Sequence, residues 1–518
     1  MAAQHVDVLI VGAGISGIGA ACHLTREAPG RSYAILERRY GIGGTWDLFR
    51  YPGIRSDSDM FTFGFNFKPW NATRILADGT AIREYVQETA AEYGVEEHIN
   101  YGRKVVKASW STATGLWTVQ AVDEATGDTE TWTANFVLAG TGYYNYDTGF
   151  RPEFPGEADF AGTIIHPQHW PEDLDYAGKS VVIIGSGATA VTLVPAMAPT
   201  AGHVTMLQRS PTYIVSLPAV DKISANLRRV LPSTVVYKLA RTRNIAIQRA
   251  MYALAKARPD IVRSLVITGA KRALKGASDI ENFTPKYDPW DQRLCVVPDG
   301  DLFKTIRSGK ADIVTDRIAT FTKNGIRLES GKEIEADIVV SATGLDVQML
   351  GGAALEVDGE PVALNKAVTY KGVLVEGVPN AAMIFGYINA SWTLKADIAA
   401  EYFCRLLNHM DAKGYTQVVA HAEDADRDEG SVLGALNSGY VRRGNDHLPR
   451  QGTHGPWKVR NDYVRDAPVL RYSAIDDGIL QFSTAPVAME ELDEIAGDEA
   501  ALKEPVDKLP RPRRRATA

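Results

Sequence analysis

Three groups of residues in this 518-residue chain have types and spacings that suit chemistry. The first is GAGISG, which places Gly12, Gly14 and Gly17 in the order G-x-G-x-x-G. The first glycine allows a tight turn, the second lets backbone approach a pyrophosphate, and the third lets a helix pack on a strand. The anion then rests on the free N–H groups at the helix start. Glu37 lies 20 residues past Gly17, where a carboxylate can hold ribose hydroxyls. The second group is GSGATA, with Gly185, Gly187 and Ala190 at the key positions and Ser186, Ala188 and Thr189 between them. Its following strand ends in Gln208 and Arg209 instead of an acid, and an arginine there suits a 2′-phosphate. An acid after the first motif and an arginine after the second read as FAD followed by NADPH, with NADPH reducing the flavin. The plain alternatives are a glycine-rich turn and a surface arginine.

The third group concerns what a reduced flavin would do next. Cys22, Cys295 and Cys404 are far apart and form no CxxC, so a disulfide reductase lacks its dithiol. An oxygenase must instead keep a flavin peroxide from water, with positive charge nearby and no acid to expel it. GIGGTWDLFRYPGIRSDSD (41–59) combines four glycines with Trp46, Arg55 and three acids, a costly loop unless backbone must approach a ring system. PKYDPWDQRLCVVPDGDLF (285–303) carries Arg293 in an aromatic, proline-rich run. A guanidinium stays protonated at any working pH, so it can offset peroxide charge without giving up a proton. A salt-bridged strand end is the plain alternative for Arg293. Between the two glycine motifs lies the connector FAGTIIHPQHWPED (160–173). His166 and His169 are three apart, but no third ligand accompanies them in a helical context, so no metal site is read there.

Elements must position these groups. Val6–Val11 is the short apolar run of a buried parallel strand, and Ala20, Ala21 and Leu24 suit a helix packed on it. SYAILE is the next strand, and residues 103–140 alternate as antiparallel strands. A second strand-turn-helix starts at Ser180. ANFVLAGTG (134–142) and ADIVVSATG (336–344) match each other where the chain passes between domains. Ser391 reads as the cap of a helix in ASWTLKADIAAEYFCRLL. The fold class is therefore α/β, with two Rossmann-like dinucleotide-binding domains, one for FAD and one for NADP. Residues 1–145 read as the first part of the FAD-binding domain. Residues 146–335 read as the NADP-binding domain, with a helical insertion at about 221–280. Residues 336–490 read as the second part of the FAD-binding domain, and 491–518 as a disordered tail.

Composition narrows the setting. With 45% hydrophobic and 23% charged residues the chain is ordinary globular protein, and a net charge of -7 argues against a nucleic-acid partner. The N-terminus lacks a cationic leader, and no apolar run approaches the roughly 20 residues of a bilayer span. These features, with the sparse cysteines, point to the cytoplasm. Residues 221–280 are distinct: 13 Lys and Arg against three Asp give +10. A solvated insertion is the plain reading, and peripheral membrane contact is the alternative.

The connector resembles the fingerprint of type I Baeyer–Villiger monooxygenases, F-x-G-x-x-x-H-x-x-x-W-P, here Phe160, Gly162, His166, Trp170 and Pro171. It lies between two dinucleotide motifs, as in that family. GGTWxxxRYPGxxxD (43–57), the pair Gln292-Arg293 and SATG (341–344) extend the resemblance over roughly residues 5 to 400. WDLFRYPGIRSDSDM and NASWTLKAD look most like the ethionamide-activating subgroup. The resemblance implies that Ser16, Glu37, Thr45, Trp46, Asp47 and Leu48 contact FAD, with the Val105 backbone over the adenine. It puts Asp57 at the flavin, where it would pair with Arg293, and Arg55 and Ser56 against NADP. Gly185 to Ala190, Gln208 and Arg209 would hold NADP. Arg293 would stabilise the anionic peroxyflavin and its ketone adduct. Gln292 stands where many members have lysine, which gives Arg209 more weight. The activity implied is insertion of one oxygen atom of O2 into a ketone, giving an ester or lactone. S-oxygenation of sulfides or thioamides by the same intermediate is the alternative. His166 and Trp170 would anchor the linker and couple the two halves.

Overall fold

The computed structural model describes residues 4–292, 294–423, 427–433 and 438–484. Arg293 and the expected tail, 491–518, lie outside the described residues.

The apolar run near the N-terminus forms most of β1 (Gln4–Val11), and Val8, Leu9 and Ile10 are fully buried. α1 (Ile15–Glu27) returns the chain to β2 (Tyr33–Glu37), which pairs parallel with β1. The other edge of β1 pairs parallel with β6 (Thr129–Ala139). Strand order therefore switches direction at the carboxyl end of β1, where an α/β sheet opens a ligand crevice. Three helices follow β2: α2 (Thr45–Leu48), α3 (Met60–Phe63) and α4 (Gly79–Glu92). β3 (Ile99–Tyr101) extends the sheet beyond β2. The alternating residues of 103–140 form β4 (Arg103–Ser111), β5 (Leu116–Asp123) and β6, joined antiparallel.

The chain crosses to the second unit through β7 (Tyr144–Gly149). There β8 (Thr163–Ile165), β9 (Ser180–Ile184), α5 (Ala188–Met197) and β10 (His203–Gln208) begin the repeat of the strand-turn-helix plan. β11 (Ile214–Leu217) leads into α6 (Lys222–Leu227), α7 (Ser233–Ala257) and α8 (Pro259–Leu274). β12 (Cys295–Pro298), α9 (Asp301–Arg307) and β13 (Ala311–Thr315) come next, then the meander β14 (Ile318–Thr322), β15 (Gly325–Leu328) and β16 (Glu333–Glu335). β17 (Ile338–Ser341) completes a five-stranded parallel sheet in the order β13-β10-β9-β17-β8. This sheet thus holds a strand beyond residue 335, where the sequence alone ended the unit. All four residues of β17 are buried, as the centre of a parallel sheet requires.

The return crossing is β18 (Leu345–Val347), and the two crossings pair antiparallel. β19 (Ala354–Val357) and β20 (Glu360–Pro361) then join the edge at β4. β21 (Thr369–Tyr370), β22 (Leu374–Val375) and β23 (Ala381–Met383) lead back to β6. α10 (Trp392–Lys413) packs along α1, while α11 (Gly439–Gly444) and α12 (Tyr463–Tyr472) follow. Among the described residues no helix is long and apolar enough to cross a membrane.

Candidate active site

The turn after β1 has the backbone its glycines imply. Gly12 sits at φ +99°, and a Cβ on Gly17 would stand 1.8 Å from the Gly12 carbonyl oxygen. α1 opens at Gly14 with no side-chain cap, so its first N–H groups face the crevice unsatisfied by the helix. Glu37 is buried at the end of β2. Its carboxylate accepts from the Ala13 N–H at 2.6 Å and from the Arg39 N–H at 2.8 Å. Burial raises its pKa, and those two backbone donors oppose the rise. Ser16 is buried too, and its Oγ accepts the Trp392 indole N–H at 2.8 Å. The starts of α1 and α10 therefore converge.

Ser391 occupies the position before α10 but does not cap it. Its hydroxyl bonds the Thr62 hydroxyl at 2.6 Å, which ties α10 to α3 instead. Asn389 Oδ1, just upstream, is buried without a hydrogen-bond partner. An uncapped helix start, a glycine cradle with no room for side chains and an orphaned buried acceptor are what a bound dinucleotide would complete.

Loop 41–59 joins the two units. Gly43 bridges to Gly14 through the backbone, and a Cβ on Gly44 would lie 2.9 Å from the Gly14 Cα. Thr45 opens α2, and Trp46 packs edge-on against Phe63 in the first unit at 5.7 Å. Asp47 is buried in a knot of guanidinium groups, with Arg39 at 2.7 Å, Arg50 at 2.6 Å and Arg83 at 3.5 Å. The next stretch of the loop packs on the other core, before the Ser56 N–H bonds back to the Ala77 carbonyl of the first unit. Leu48, Phe49 and Tyr51 pack with Val181, Ile183 and Ala190 of the second unit. A Cβ on Gly53 would meet the Ala196 Cβ at 2.6 Å. Arg55 pairs with Asp301 at 2.5 Å, Ser56 is buried, and Asp57 follows at the half-buried end of the loop. Asp301 carried no signal that sequence reading used.

The second motif has a left-handed turn at Gly185, φ +141°, whose Cβ would lie 2.3 Å from the Ala342 carbonyl oxygen. Gly187 starts α5 without a side-chain cap and has open space around it. Ala188 is exposed, Thr189 is half-buried, Ala190 is buried in the core, and the Ser186 hydroxyl bonds Thr212 at 2.9 Å. The Gln208 side chain is turned inward. It is 1% exposed, and its amide donates to the Asn282 carbonyl at 2.7 Å and to Thr315 at 2.8 Å. Arg209 is exposed at the same strand end. Val105 is buried in β4 beside an irregularity that leaves Val106 out of register with β5.

The connector 160–171 clamps the crossings. A Cβ on Gly162 would lie 2.3 Å from the Asp337 carbonyl oxygen, and Phe160 packs against Phe321. His166 bonds the Gly344 carbonyl of the return crossing at 3.2 Å through Nε2, while its Nδ1 accepts from the Gln168 N–H. Together these bonds define the neutral tautomer with its proton on Nε2. The Gln168 amide donates to the Asn145 carbonyl at 2.8 Å, and His169 Nε2 meets the Asp147 carbonyl at 3.1 Å. Trp170 packs on the second core, and the half-buried Pro171 follows it. The partner of His166, illegible in sequence, is thus the other linker.

A cavity of about 250 Å³ lies between the end of β23, α10 and α12. Met383, Phe385 and Tyr387 form its apolar side. Lys395 on its polar side donates to the Lys371 carbonyl at 3.0 Å and pairs with Asp466 at 3.4 Å. Burial lowers the pKa of both lysines.

The flavin-binding monooxygenase-like family matches residues 74–408, and an NAD(P)-binding Rossmann-like domain matches residues 10–77. The chain belongs to the flavin-binding monooxygenase-like family. This flavin-dependent monooxygenase is 58% identical over 487 residues to MymA of Mycobacterium tuberculosis strain H37Rv, covering 93% of this chain and 98% of that one. It is 52% identical over 482 residues to the FAD-containing monooxygenase EthA of Mycolicibacterium smegmatis, covering 93% and 97%. Among solved structures, a steroid monooxygenase bound to NADP aligns with a TM-score of 0.74 at 21% identity, covering 93% of this chain and all of that one. Cyclohexanone monooxygenase from Rhodococcus sp. Phi1 bound to NADP+ aligns at 0.71, also at 21% identity and the same coverage. The monooxygenase shares their fold.

Proposed function

We propose that this monooxygenase is an NADPH-dependent Baeyer–Villiger enzyme. It converts a ketone to an ester or lactone, placing one atom of O2 in the product and releasing the other as water. FAD, reduced by NADPH, supplies the electrons that activate O2 when both are bound. The observation that carries this reading is loop 41–59, packed at its start on the first glycine turn and through Leu48, Phe49 and Tyr51 in the second core. Such a loop sets two dinucleotides at a fixed separation, which hydride transfer between them needs.

Each residue then has a task. The start of α1 holds a pyrophosphate and Glu37 holds ribose hydroxyls, while Arg209 takes the 2′-phosphate of NADPH. Thr45, Trp46 and Asp47 line the flavin side of the loop and exclude water. Arg293 holds negative charge at the reacting centre without releasing a proton, and Asp57 sets its position. The complete fingerprint, Phe160 to Pro171, favours a ketone over a sulfide.

Turnover of a ketone panel under labelled O2 tests the proposal. One labelled oxygen in an ester, with NADPH consumed in equal amount, is expected. Labelled sulfoxide with no ester from any ketone would assign S-oxygenation instead. Hydrogen peroxide equal to NADPH with every substrate would sink both.

A further inference from the structure

The helical insertion has two opposed faces. Its inner face grips the first unit. The Arg241 guanidinium on α7 donates to the Phe61 carbonyl at 2.9 Å and the Gly64 carbonyl at 2.6 Å, and pairs with Asp397 of α10 at 3.1 Å. Asn244 and Gln248, one and two turns on, both donate to Asp59 at the start of α3. Among the described residues no protein lies against the outer face. Along the outer side of α7 one stripe of exposed positions, 235, 239, 242, 246, 250, 253 and 257, holds a single polar residue, Thr242, and it is flanked by the exposed Lys238, Ile247, Arg249, Leu254 and Lys256.

Large apolar side chains are exposed here out of proportion. Of 14 exposed large hydrophobic residues among the described residues, 11 lie between Leu217 and Leu265. Val230 is 77% exposed, Leu265 63%, Ile223 61% and Ile247 53%. An apolar surface of this extent on a soluble chain marks an interaction site. Cations border it. Arg229, Lys238, Arg258, Lys271 and Arg272 are exposed. Residues 221–280 carry +10 within a chain of net charge -7, which leaves -17 on the rest.

We propose that the outer face of α6, α7 and α8 docks on an anionic lipid surface. Apolar side chains in a field of cations suit the boundary between headgroups and acyl chains. A second copy of the chain is disfavoured, because a two-fold contact would bring +10 against +10. Nucleic acid would engage the cations but would leave the aliphatic side chains in water. The face lies parallel to the surface and does not span it. Docking would hold α3 and the end of loop 41–59 about one helix diameter, roughly 10 Å, from the lipid. An apolar substrate dissolved in the bilayer would then have a short path to the site. That consequence rests on the proposed reaction, whereas the docking does not.

The test is co-sedimentation of the full-length FAD-loaded protein with phosphatidylcholine vesicles and with phosphatidylglycerol-rich vesicles. About tenfold more protein should pellet with the anionic vesicles, and high salt should reduce the difference. L239E/I247E should lose most of the binding with unfolding temperature and NADPH oxidation unchanged. K238E/R258E should lose only the preference for anionic lipid. Equal recovery of wild type and L239E/I247E at all compositions would overturn the proposal. So would a wild-type dimer, by light scattering, that L239E/I247E dissociates while neither form pellets with vesicles. Failure of ester formation with intact vesicle binding would count against the proposed reaction alone.

Discussion

Arg293 carries the sharpest claim about a single side chain. Its replacement by alanine should leave NADPH-driven bleaching of the flavin intact and lower ester formation about a hundred- to thousandfold, the usual effect of losing one preorganised charge. Rapid mixing separates the two steps, and ester formation at the wild-type rate would refute the role. Arg209 is the matching case for the nucleotide. With Gln208 turned inward to Asn282 and Thr315, the exposed guanidinium is the group left at the strand end. Arg209→Ala should raise KM for NADPH by about ten- to a hundredfold, since hydrogen bonds to charged groups contribute about 1.5–3 kcal/mol. KM for NADH should change little. A parallel rise for both nucleotides would show that Arg209 does not read the 2′-phosphate.

Two helices decide how the halves of the first unit hold together, and buried charge does much of it. His23 on α1 bonds Glu27 at 2.8 Å and stands 3.6 Å from Asp397 on α10, an ion pair too long for a good hydrogen bond. Burial opposes its charge, yet Asp397 and Glu27 outweigh burial and push its pKa up to about 9. A histidine whose pKa is raised by folding stabilises fully below its ordinary value near 6.5, and that contribution is lost as pH rises through about 9. Denaturant unfolding should therefore show stability falling from neutral pH toward pH 9, and His23→Gln should flatten that slope. A slope unchanged in His23→Gln would assign it elsewhere. Arg241 reaches the same Asp397 from α7. Among the described residues Arg241→Met leaves that carboxylate buried with His23 and the Asn66 N–H as its remaining polar partners, at a cost of about 3–5 kcal/mol. Equilibrium unfolding measures this directly, and a loss below 1 kcal/mol would mean that the contact is not under strain of charge burial.

The whole molecule turns on its two crossings. They pair with each other, and His166 and Gln168 bond their backbones across the pair. Gly149 is pressed against this clamp, where a Cβ would lie 2.0 Å from the His166 ring. Gly149→Ala must displace the imidazole, so NADPH consumed per ester formed should rise, while each half still binds its nucleotide. Unchanged coupling would show that the clamp is not needed to align the halves. Its pH dependence has the opposite sign to that of His23. Burial lowers the His166 pKa, so the neutral clamp is complete above the ordinary value near 6.5 and weakens as pH falls below it. Coupling should deteriorate in mild acid, and His166→Gln should remove that trend.

The sequence by itself determined the two glycine turns, the strand and helix after each, and the family, because those signals are local in spacing and steric demand. Gly12, Gly17 and Gly185 stand where only glycine fits, and their positions read directly. The helical insertion and its charge were legible for the same reason. Tertiary structure alone decided what each side chain meets. It turned Gln208 inward, gave the Ser391 hydroxyl to Thr62 instead of the helix, and put the strand after Glu335 into the second sheet. It also set Asp301 on Arg55 and Gly344 on His166, pairs separated by more than 170 residues. A spacing rule reaches a turn or two along the chain, whereas a buried polar group must find whichever partner the packing brings to it.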